Sequence, residues 1–263
     1  MHPILFRIGS FEVGTYGLLL ALGFFAALAL AMRQGKKDAL APEALSDLSV
    51  TVLIAGVVGS KLLMIAVDLI NGASFAQVFD FATLRAGGAV HGGIILGLAA
   101  FFWRVRTWKL PMPATLDALV PAMALGQAIG RLGCFAAGCC YGTECHLPWA
   151  VTFTNPEAHI FSGTPLFHSL HPVQLYTSLA EFCMVGMLVL LRRRRAFPGQ
   201  IAGLFFILEG LGRCILEIWR GDLDRGIWLG LPWLSTGRLT GLVFILFGAG
   251  LWWWFKRRQA AAA

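Results

Sequence analysis

Two arginines, Arg131 and Arg213, lie inside apolar stretches of this 263-residue chain. An ionisable side chain in such a stretch is costly and usually marks a functional site or a structural pair. A guanidinium group forms two parallel hydrogen bonds with phosphate oxygens, so two of them in one dry cavity are suited to hold a phosphate. The residue types therefore predict a site for a phosphate-bearing ligand, and a phospholipid is the ligand of that kind that is abundant in a membrane.

Other polar side chains come from separate stretches but fall at a similar depth. Glu217 follows Arg213 by four residues and so shares one face of a helix with it. Tyr16 opens the first apolar stretch, His91 opens the third, and His171 precedes the fifth. Because independent segments bring these groups to one level, we expect them to share a site.

Structural roles also fit each of these residues taken alone. Arg213 and Glu217 could form an ion pair within one helix, Arg131 could pair between helices, and His91 could serve packing. An anion transporter would instead need polar groups through the full depth of the bilayer. Most of the polar groups lie toward the outer ends of their apolar stretches. Three ionisable residues do not, and they keep the transporter alternative open: Lys61, Glu181 and Glu209.

Four of the six cysteines lie in one short segment, as Cys134, Cys139, Cys140 and Cys145, followed by His146. Metal binding, disulfide pairing and packing of small side chains all fit a cluster of this kind. The spacing lacks the paired C-x2-C units of zinc sites, so we favour disulfides or packing and expect neither a metal nor a cofactor. A thiol-redox membrane protein is a further alternative, although its C-x-x-C motif is missing.

The composition excludes an ordinary soluble domain. Hydrophobic residues make up 57% of the chain and charged residues 13%, whereas soluble domains are about 25% charged. The net charge of +7 comes from short basic clusters between apolar runs, a pattern of topology signals and not of nucleic-acid binding. We therefore expect a membrane-embedded protein with no nucleic-acid partner.

Seven apolar runs approach the roughly 20 residues that a membrane-spanning helix requires. They predict an all-α integral membrane protein, a bundle of about seven transmembrane helices with a small periplasmic head region. Residues 1–263 form a single polytopic membrane domain, 136–171 a periplasmic head or arm insertion, and 256–263 a cytoplasmic tail. The runs cover residues 14–32, 48–70, 89–103, 114–135, 172–191, 201–219 and 239–255.

Basic clusters orient these helices, since lysine and arginine concentrate on the cytoplasmic side of a membrane. In a seven-helix arrangement, four clusters fall on one side, so we expect a multi-pass protein of the bacterial inner membrane with a periplasmic N-terminus and a cytoplasmic C-terminus. The clusters are Arg33/Lys36/Lys37, Arg104/Arg106/Lys109, Arg192 to Arg195, and Lys256/Arg257/Arg258.

Six short motifs, in order along almost the whole chain, resemble those of the bacterial prolipoprotein diacylglyceryl transferase family. They are Tyr16-Gly17-Leu18 with Gly23-Phe24; Gly87-Gly88 with His91-Gly92-Gly93; Gly130-Arg131-Leu132-Gly133 with Phe135, Gly138 and Gly142; His171-Pro172-x-Gln174-Leu175-Tyr176; Arg213-x-x-x-Glu217-x-x-Arg220; and Leu234-Ser235-x-Gly237.

The resemblance implies transfer of diacylglycerol from phosphatidylglycerol to the lipobox cysteine thiol of a preprolipoprotein, which forms a thioether and releases glycerol phosphate. It implies that Arg131 and Arg213 hold the phosphate and stabilise the leaving group, and that His91 is the base or orients the incoming thiol. We expect a monomer. The substrate-binding residues that it implies are Tyr16, Gly92, Gly133, Cys134, Cys139, Gly142, Glu217 and Arg220.

The chain departs from the family signature at three neighbouring positions. Cys134 and Ala137 stand where the family usually has asparagines, and Cys139 stands where it usually has a glutamate. Thr177 and Arg238 also replace a usual glutamate and glutamine. Either a divergent member carries out the same reaction, or the site serves another lipid or acceptor, or the chain binds lipid without catalysis. We hypothesise that Cys134 or Cys139 contacts the lipid headgroup; full activity of both serine variants would contradict this.

Overall fold

The structure, a computed structural model, describes residues 3–8, 11–80, 88–221, 226, 228, 231 and 233–262. Helices dominate these ranges, and the strands are short. The elements in chain order are β1 (Ile4–Ile8), β2 (Phe11–Gly14), α1 (Thr15–Gly35), α2 (Pro42–Ile70), α3 (Phe75–Val78), α4 (Val90–Thr107), α5 (Met112–Ala137), β3 (Val151–Thr152), α6 (Pro156–Ser162), β4 (Ser169–Leu170), α7 (Val173–Arg192), α8 (Gln200–Leu216) and α9 (Thr236–Ala262), with 3-10 turns at Lys36–Asp38 and Glu217–Trp219.

Each of the seven apolar runs lies on its own helix, which confirms the all-α membrane class. Within the described ranges, α1, α2, α5, α7 and α9 are long and apolar enough to cross a membrane. Helix α4 has 18 residues and carries two arginines in its last turn. Helix α8 has 17 residues, or about 26 Å at 1.5 Å per residue, less than the roughly 30 Å hydrocarbon core. The count of seven spans therefore stays a prediction.

The chain divides into two compact units, and the single domain over 1–263 also stays a prediction. One unit comprises Met1–Gln34 and Leu116–Ala263, and the other comprises Gly35–Thr115. In the first unit, α5, α7 and α8 meet around an apolar core that includes Val120, Leu188 and Phe205.

Asp117 fixes the start of α8 in the first unit. Its carboxylate is fully buried and accepts hydrogen bonds from the backbone N–H groups of Gly199 (2.8 Å) and Ala202 (2.9 Å). Arg195 forms an ion pair with the same carboxylate at 3.0 Å. A carboxylate in this position satisfies donors that the first turn of a helix leaves unpaired and complements the positive end of the helix dipole.

In the second unit, α2 and α4 pack through glycines. A Cβ atom added to Gly92 would overlap the carbonyl oxygen of Gly59, and one added to Gly93 would lie 2.8 Å from the carbonyl oxygen of Gly56. Small residues at such crossings let two helix backbones approach closely. At the other end of α4, Arg104 forms an ion pair with Asp47 at 3.1 Å.

The segment 136–171 contains the end of α5, the short helix α6 and a two-stranded sheet. Strands β3 and β4 are antiparallel, with Val151 opposite Leu170. The terminal segment 256–263 continues α9 as far as Ala262.

Candidate active site

A cavity of about 260 Å³ lies in the first unit among α5, α7 and α8. Most of its wall is apolar, but the polar groups on it are concentrated and mostly ionisable. They are Gln127, Arg131, Cys140, Gln174, Thr177, Glu181, Cys183, Glu209, Arg213, Glu217 and Arg220. A concave apolar site with a few convergent polar groups is the usual form of a ligand site.

Arg131 on α5 and Arg213 on α8 both line this cavity. The Nε atom of Arg213 is buried and has no hydrogen-bond partner among the residues that the structure describes. A buried donor without a partner costs about 1–3 kcal/mol. A ligand that accepts a hydrogen bond from this atom would remove that cost, and an anion would do so most effectively.

Two further residues that line the cavity carry buried polar atoms that likewise have no hydrogen-bond partner in the described ranges. Gln174 donates a hydrogen bond from Nε2 to the carbonyl oxygen of Cys139 at 2.7 Å, which identifies its other terminal atom as the oxygen. That oxygen, Oε1, has no partner within the described ranges, and neither does Oε2 of Glu181. Two residues of the cavity wall therefore carry buried oxygen atoms without a hydrogen-bond partner in the described ranges.

The position of Glu181 follows from the packing of α7 on α5. Ser178, one turn before Glu181, donates a hydrogen bond to the carbonyl oxygen of Ala128 at 2.8 Å. Glu209 on α8 lies beside Glu181. In the sequence, Glu181 and Glu209 stood out as charges that do not share the outer position, whereas the structure places both on the cavity wall with the arginines. Their occurrence inside apolar runs was the signal that could have assigned them to the site.

Glu217 lies in the 3-10 turn after α8 and contacts the start of α9. Its side chain is 5% exposed and accepts a hydrogen bond from Ser235 at 2.7 Å. A Cβ atom on Gly237 would overlap its carboxylate. The carboxylate thus joins the end of α8 to the start of α9.

Gly142 lies where three backbone segments approach one another. A Cβ atom there would overlap the carbonyl oxygen of His171, and one on Gly221 would overlap the carbonyl oxygen of Gly142. Gly142 also forms an isolated antiparallel bridge with Arg220. This close approach requires glycine for space, while a substrate contact at Gly142 stays a prediction.

An aromatic group surrounds this junction. Tyr176 accepts a hydrogen bond from the Trp149 indole at 2.7 Å and lies 3.2 Å from Nδ1 of His171. The rings of His171 and Tyr176 both pack against Trp219. His171 therefore has a structural environment of its own, and the structure does not place it among the residues that line the cavity.

Tyr16 and Gly133 are in contact, since a Cβ atom on Gly133 would lie 3.1 Å from the Tyr16 ring. The Tyr16 side chain is 42% exposed. Its hydroxyl lies within electrostatic range of Arg131 and of the thiols at the end of α5. The structure thus brings Tyr16, Gly133 and Arg131 to one region of the first unit.

All six cysteines are free, and three of their thiols converge. The sulfur atoms of Cys134, Cys139 and Cys140 lie within 4.8 Å of one another. Hydrogen bonds from the thiols of Cys134 and Cys139 lower the pKa of the Cys140 thiol, and the charges of Arg131 and Arg220 act in the same direction. The hydrogen bond with Cys134 raises the pKa of the Cys139 thiol. Of the three thiols, Cys140 is the one whose pKa is lowered.

His91 and Gly92 belong to the second unit. His91 is exposed in the first turn of α4, and Gly92 is buried against Gly59 of α2. Close packing against Gly59 explains why a glycine stands at position 92. The chemical roles of both His91 and Gly92 stay predictions. Gly87 of the same motif lies outside the described residues.

Comparison with known proteins gives a consistent result. The family model for prolipoprotein diacylglyceryl transferase matches residues 3–254. A phosphatidylglycerol–prolipoprotein diacylglyceryl transferase of Clostridium tetani is 34% identical over 248 residues, which cover 94% of this chain and 95% of that protein. Proteins of the same name are 33% identical in Gloeobacter violaceus (95% of this chain, 91% of the relative) and 31% identical in Thermotoga maritima (93% and 81%).

Proposed function

The chain belongs to the prolipoprotein diacylglyceryl transferase family, and we propose that it transfers diacylglycerol from phosphatidylglycerol to the lipobox cysteine of preprolipoproteins. The acceptor sulfur attacks the terminal glyceryl carbon of the diacylglyceryl group. A C–S bond forms, the bond between the attacked carbon and the phosphate-ester oxygen breaks, and its electron pair leaves with glycerol phosphate. The thiol proton passes to a base. Because the acceptor cysteine is itself the nucleophile, the enzyme needs no covalent intermediate of its own.

One observation carries the assignment: Arg131 and Arg213 line the same cavity, and Nε of Arg213 is buried without a hydrogen-bond partner among the described residues. The two guanidinium groups bind the donor phosphate. As the C–O bond breaks, negative charge grows on the leaving phosphate oxygen. Preorganised positive groups at that position stabilise the transition state more than the ground state.

Oε1 of Gln174 and Oε2 of Glu181, which have no hydrogen-bond partner in the described ranges, bind the headgroup glycerol, whose two hydroxyl groups are donors. This pairing supplies the polar recognition that the absent asparagine and glutamate side chains of the signature would otherwise give. The cavity volume of about 260 Å³ lies below the range of about 300–1,000 Å³ typical of drug-sized ligands. It suits a headgroup whose acyl chains stay in the bilayer.

The remaining assignments rest on the motifs. His91 takes the proton of the acceptor thiol or orients that thiol. Tyr16, Gly133, Cys134 and Cys139 contact the donor near Arg131. Gly92, Gly142, Glu217 and Arg220 complete the substrate-binding set, with Glu217 and Gly142 acting also through the packing described above.

The enzyme is a monomer in the bacterial inner membrane, with its N-terminus in the periplasm and its C-terminus in the cytoplasm. The four basic clusters support this orientation, because all of them fall on one side of a seven-helix arrangement. The segment 136–171 is then periplasmic, on the side where prolipoproteins present their lipobox.

A direct assay tests the proposal. The full chain, in lipid nanodiscs that contain phosphatidylglycerol, is mixed with a lipobox peptide, and mass spectrometry measures the diacylglyceryl thioether. We expect product from the wild type and none from Arg131→Ala. The matched control is Arg257→Ala. The Arg257 guanidinium stacks on the Trp253 ring, 4.1 Å from its centroid, and Arg257 is not among the described residues that line the cavity.

The lipid and the acceptor are then varied separately. Product with phosphatidylglycerol but not with phosphatidylethanolamine supports the headgroup assignment. Product only with another anionic lipid would show a changed donor. Lipid binding without any thioether, across lipobox peptides of different sequence, would show a non-catalytic relative and contradict the proposed reaction.

A further inference from the structure

The thiols of Cys134, Cys139 and Cys140 form a group to which the proposed transfer reaction gives no bond-forming or proton-transfer step. Cys134 lies in the last turn of α5, and the other two follow in the loop after it. Their sulfur atoms lie within 4.8 Å of one another. Three thiolates around one ion at about 2.3 Å would be separated by about 4 Å, so small side-chain rotations suffice to bring all three to one ion.

The loop after α5 holds the two following thiols in place. Gly138 and Cys140 both have left-handed backbone conformations, with φ of +84° and +58°. For Cys140, a residue with a Cβ atom, this conformation costs about 1 kcal/mol or more. Thr164 donates a hydrogen bond to the carbonyl oxygen of Gly138 at 2.8 Å, and Gln174 donates to that of Cys139 at 2.7 Å. The chain thus fixes a strained loop that turns the thiols toward α5, as a preorganised ligand site requires.

The chemistry of the group selects the ion. Thiolates are soft ligands and prefer Cu(I) or Zn(II) among the common cations. Structural zinc sites almost always have four protein ligands, whereas the group found in the described part of the chain has three. Arg131 and Arg220 are within electrostatic range of Cys140. Their two positive charges balance the net charge of −2 of one Cu(I) with three thiolates.

We propose that Cys134, Cys139 and Cys140 form a three-coordinate site for Cu(I). On binding, the thiols that still carry a proton lose it to the solvent, three Cu–S bonds form, and no electron is transferred. Disulfides or simple packing, which the spacing alone favours, would instead use two of the thiols or none, and leave the convergence of all three unexplained.

The ion would also affect the transferase site, an effect that rests on the proposed function. Cys140 and Arg131 line the cavity, so bound Cu(I) with its thiolates adds negative charge beside the donor phosphate and engages the arginine electrostatically. We therefore expect Cu(I) to weaken the binding of the anionic donor and raise its KM.

The test measures copper on the full chain in nanodiscs under anaerobic, reducing conditions. Cu(I) is supplied from a chromophoric chelator, whose loss of colour reports transfer to the protein. We expect one Cu(I) per wild-type chain and at least a tenfold weaker affinity for Cys139→Ser and for Cys140→Ala. The matched control is Cys183→Ser, which removes a thiol outside the group and should bind as the wild type does.

Sulfur-edge and copper-edge X-ray absorption of the loaded wild type gives an independent readout if a variant fails to fold. Three sulfur ligands support the site. Equal copper binding by wild type and Cys139→Ser, or a disulfide among the three cysteines in protein isolated without reductant, overturns the proposal. Copper binding with no transferase activity under any condition would instead count against the proposed function alone.

Discussion

Replacement of Arg213 separates a ligand-binding arginine from a structural one. Arg213 lines the cavity, and its buried Nε has no hydrogen-bond partner in the described part of the chain. The Arg213→Ala variant therefore loses no hydrogen bond to a described residue at that atom. If two charge-assisted hydrogen bonds to phosphate are lost, each contributing about 1.5–3 kcal/mol, transition-state binding weakens by about 3–6 kcal/mol. This corresponds to a fall of about 10²- to 10⁴-fold in kcat/KM.

The free energy of unfolding of Arg213→Ala should change little. Removal of an unpartnered buried donor relieves a cost of about 1–3 kcal/mol, which offsets the packing lost with the side chain. We therefore expect Arg213→Ala to be about as stable as the wild type. Arg213→Lys keeps the charge but loses the planar fork, so its kcat/KM should lie between those of the wild type and the alanine variant.

The assay follows thioether formation on a lipobox peptide over a range of phosphatidylglycerol fractions in nanodiscs, and unfolding is measured by denaturant titration of the same samples. Arg257→Ala serves as the control and should keep kcat/KM within about twofold, as most surface substitutions do. If Arg213→Ala unfolds more easily by several kcal/mol yet retains its kcat/KM when folded, Arg213 is structural and the reasoning is refuted.

Three further predictions concern other parts of the first unit. Gln174→Leu should lower the preference for phosphatidylglycerol over phosphatidic acid by about 10- to 100-fold in kcat/KM, since one acceptor for the headgroup is lost; an unchanged ratio would contradict the assignment of Oε1. Asp117→Ala should lower the free energy of unfolding by about 3–5 kcal/mol because a partly buried arginine and two backbone N–H groups lose this buried carboxylate. An unfolding midpoint at the same denaturant concentration as the wild type would contradict this. Because the pKa of the Cys140 thiol is lowered, its alkylation rate, measured by mass spectrometry, should fall less than that of a cysteine peptide as the pH decreases from 8 to 6. A parallel fall of the two rates would contradict the lowered pKa.

The helices were predictable from the sequence because burial in lipid requires long apolar runs. The limits of the helices were less predictable. Helix α2 begins at Pro42, six residues before the apolar run at 48, because Pro at its first position and Glu43 in its first turn favour a helix start that carries no hydrophobic signal. The start of α8 depends on Asp117, a residue 82 positions before Gly199, and no local pattern reports such a contact.

The site was predictable only in part. Arg131 and Arg213 stood out because charge is rare in apolar runs, and they do line one cavity. Gln174 carried no such signal, since an amide near the start of a helix is ordinary. Gln174 matters because its Nε2 donates a hydrogen bond to the Cys139 carbonyl oxygen, which leaves Oε1 buried without a partner among the described residues. The convergence of three thiols likewise required the left-handed loop after α5, which the spacing of the cysteines does not predict.

A structure of the full chain with bound phosphatidylglycerol, determined by electron cryomicroscopy in nanodiscs, tests the central claim most directly. We predict that the donor phosphate lies about 3 Å, a hydrogen-bond distance, from both the Arg131 and the Arg213 guanidinium groups. A phosphate bound outside this cavity, or contacted by neither arginine, would contradict the assignment of the site.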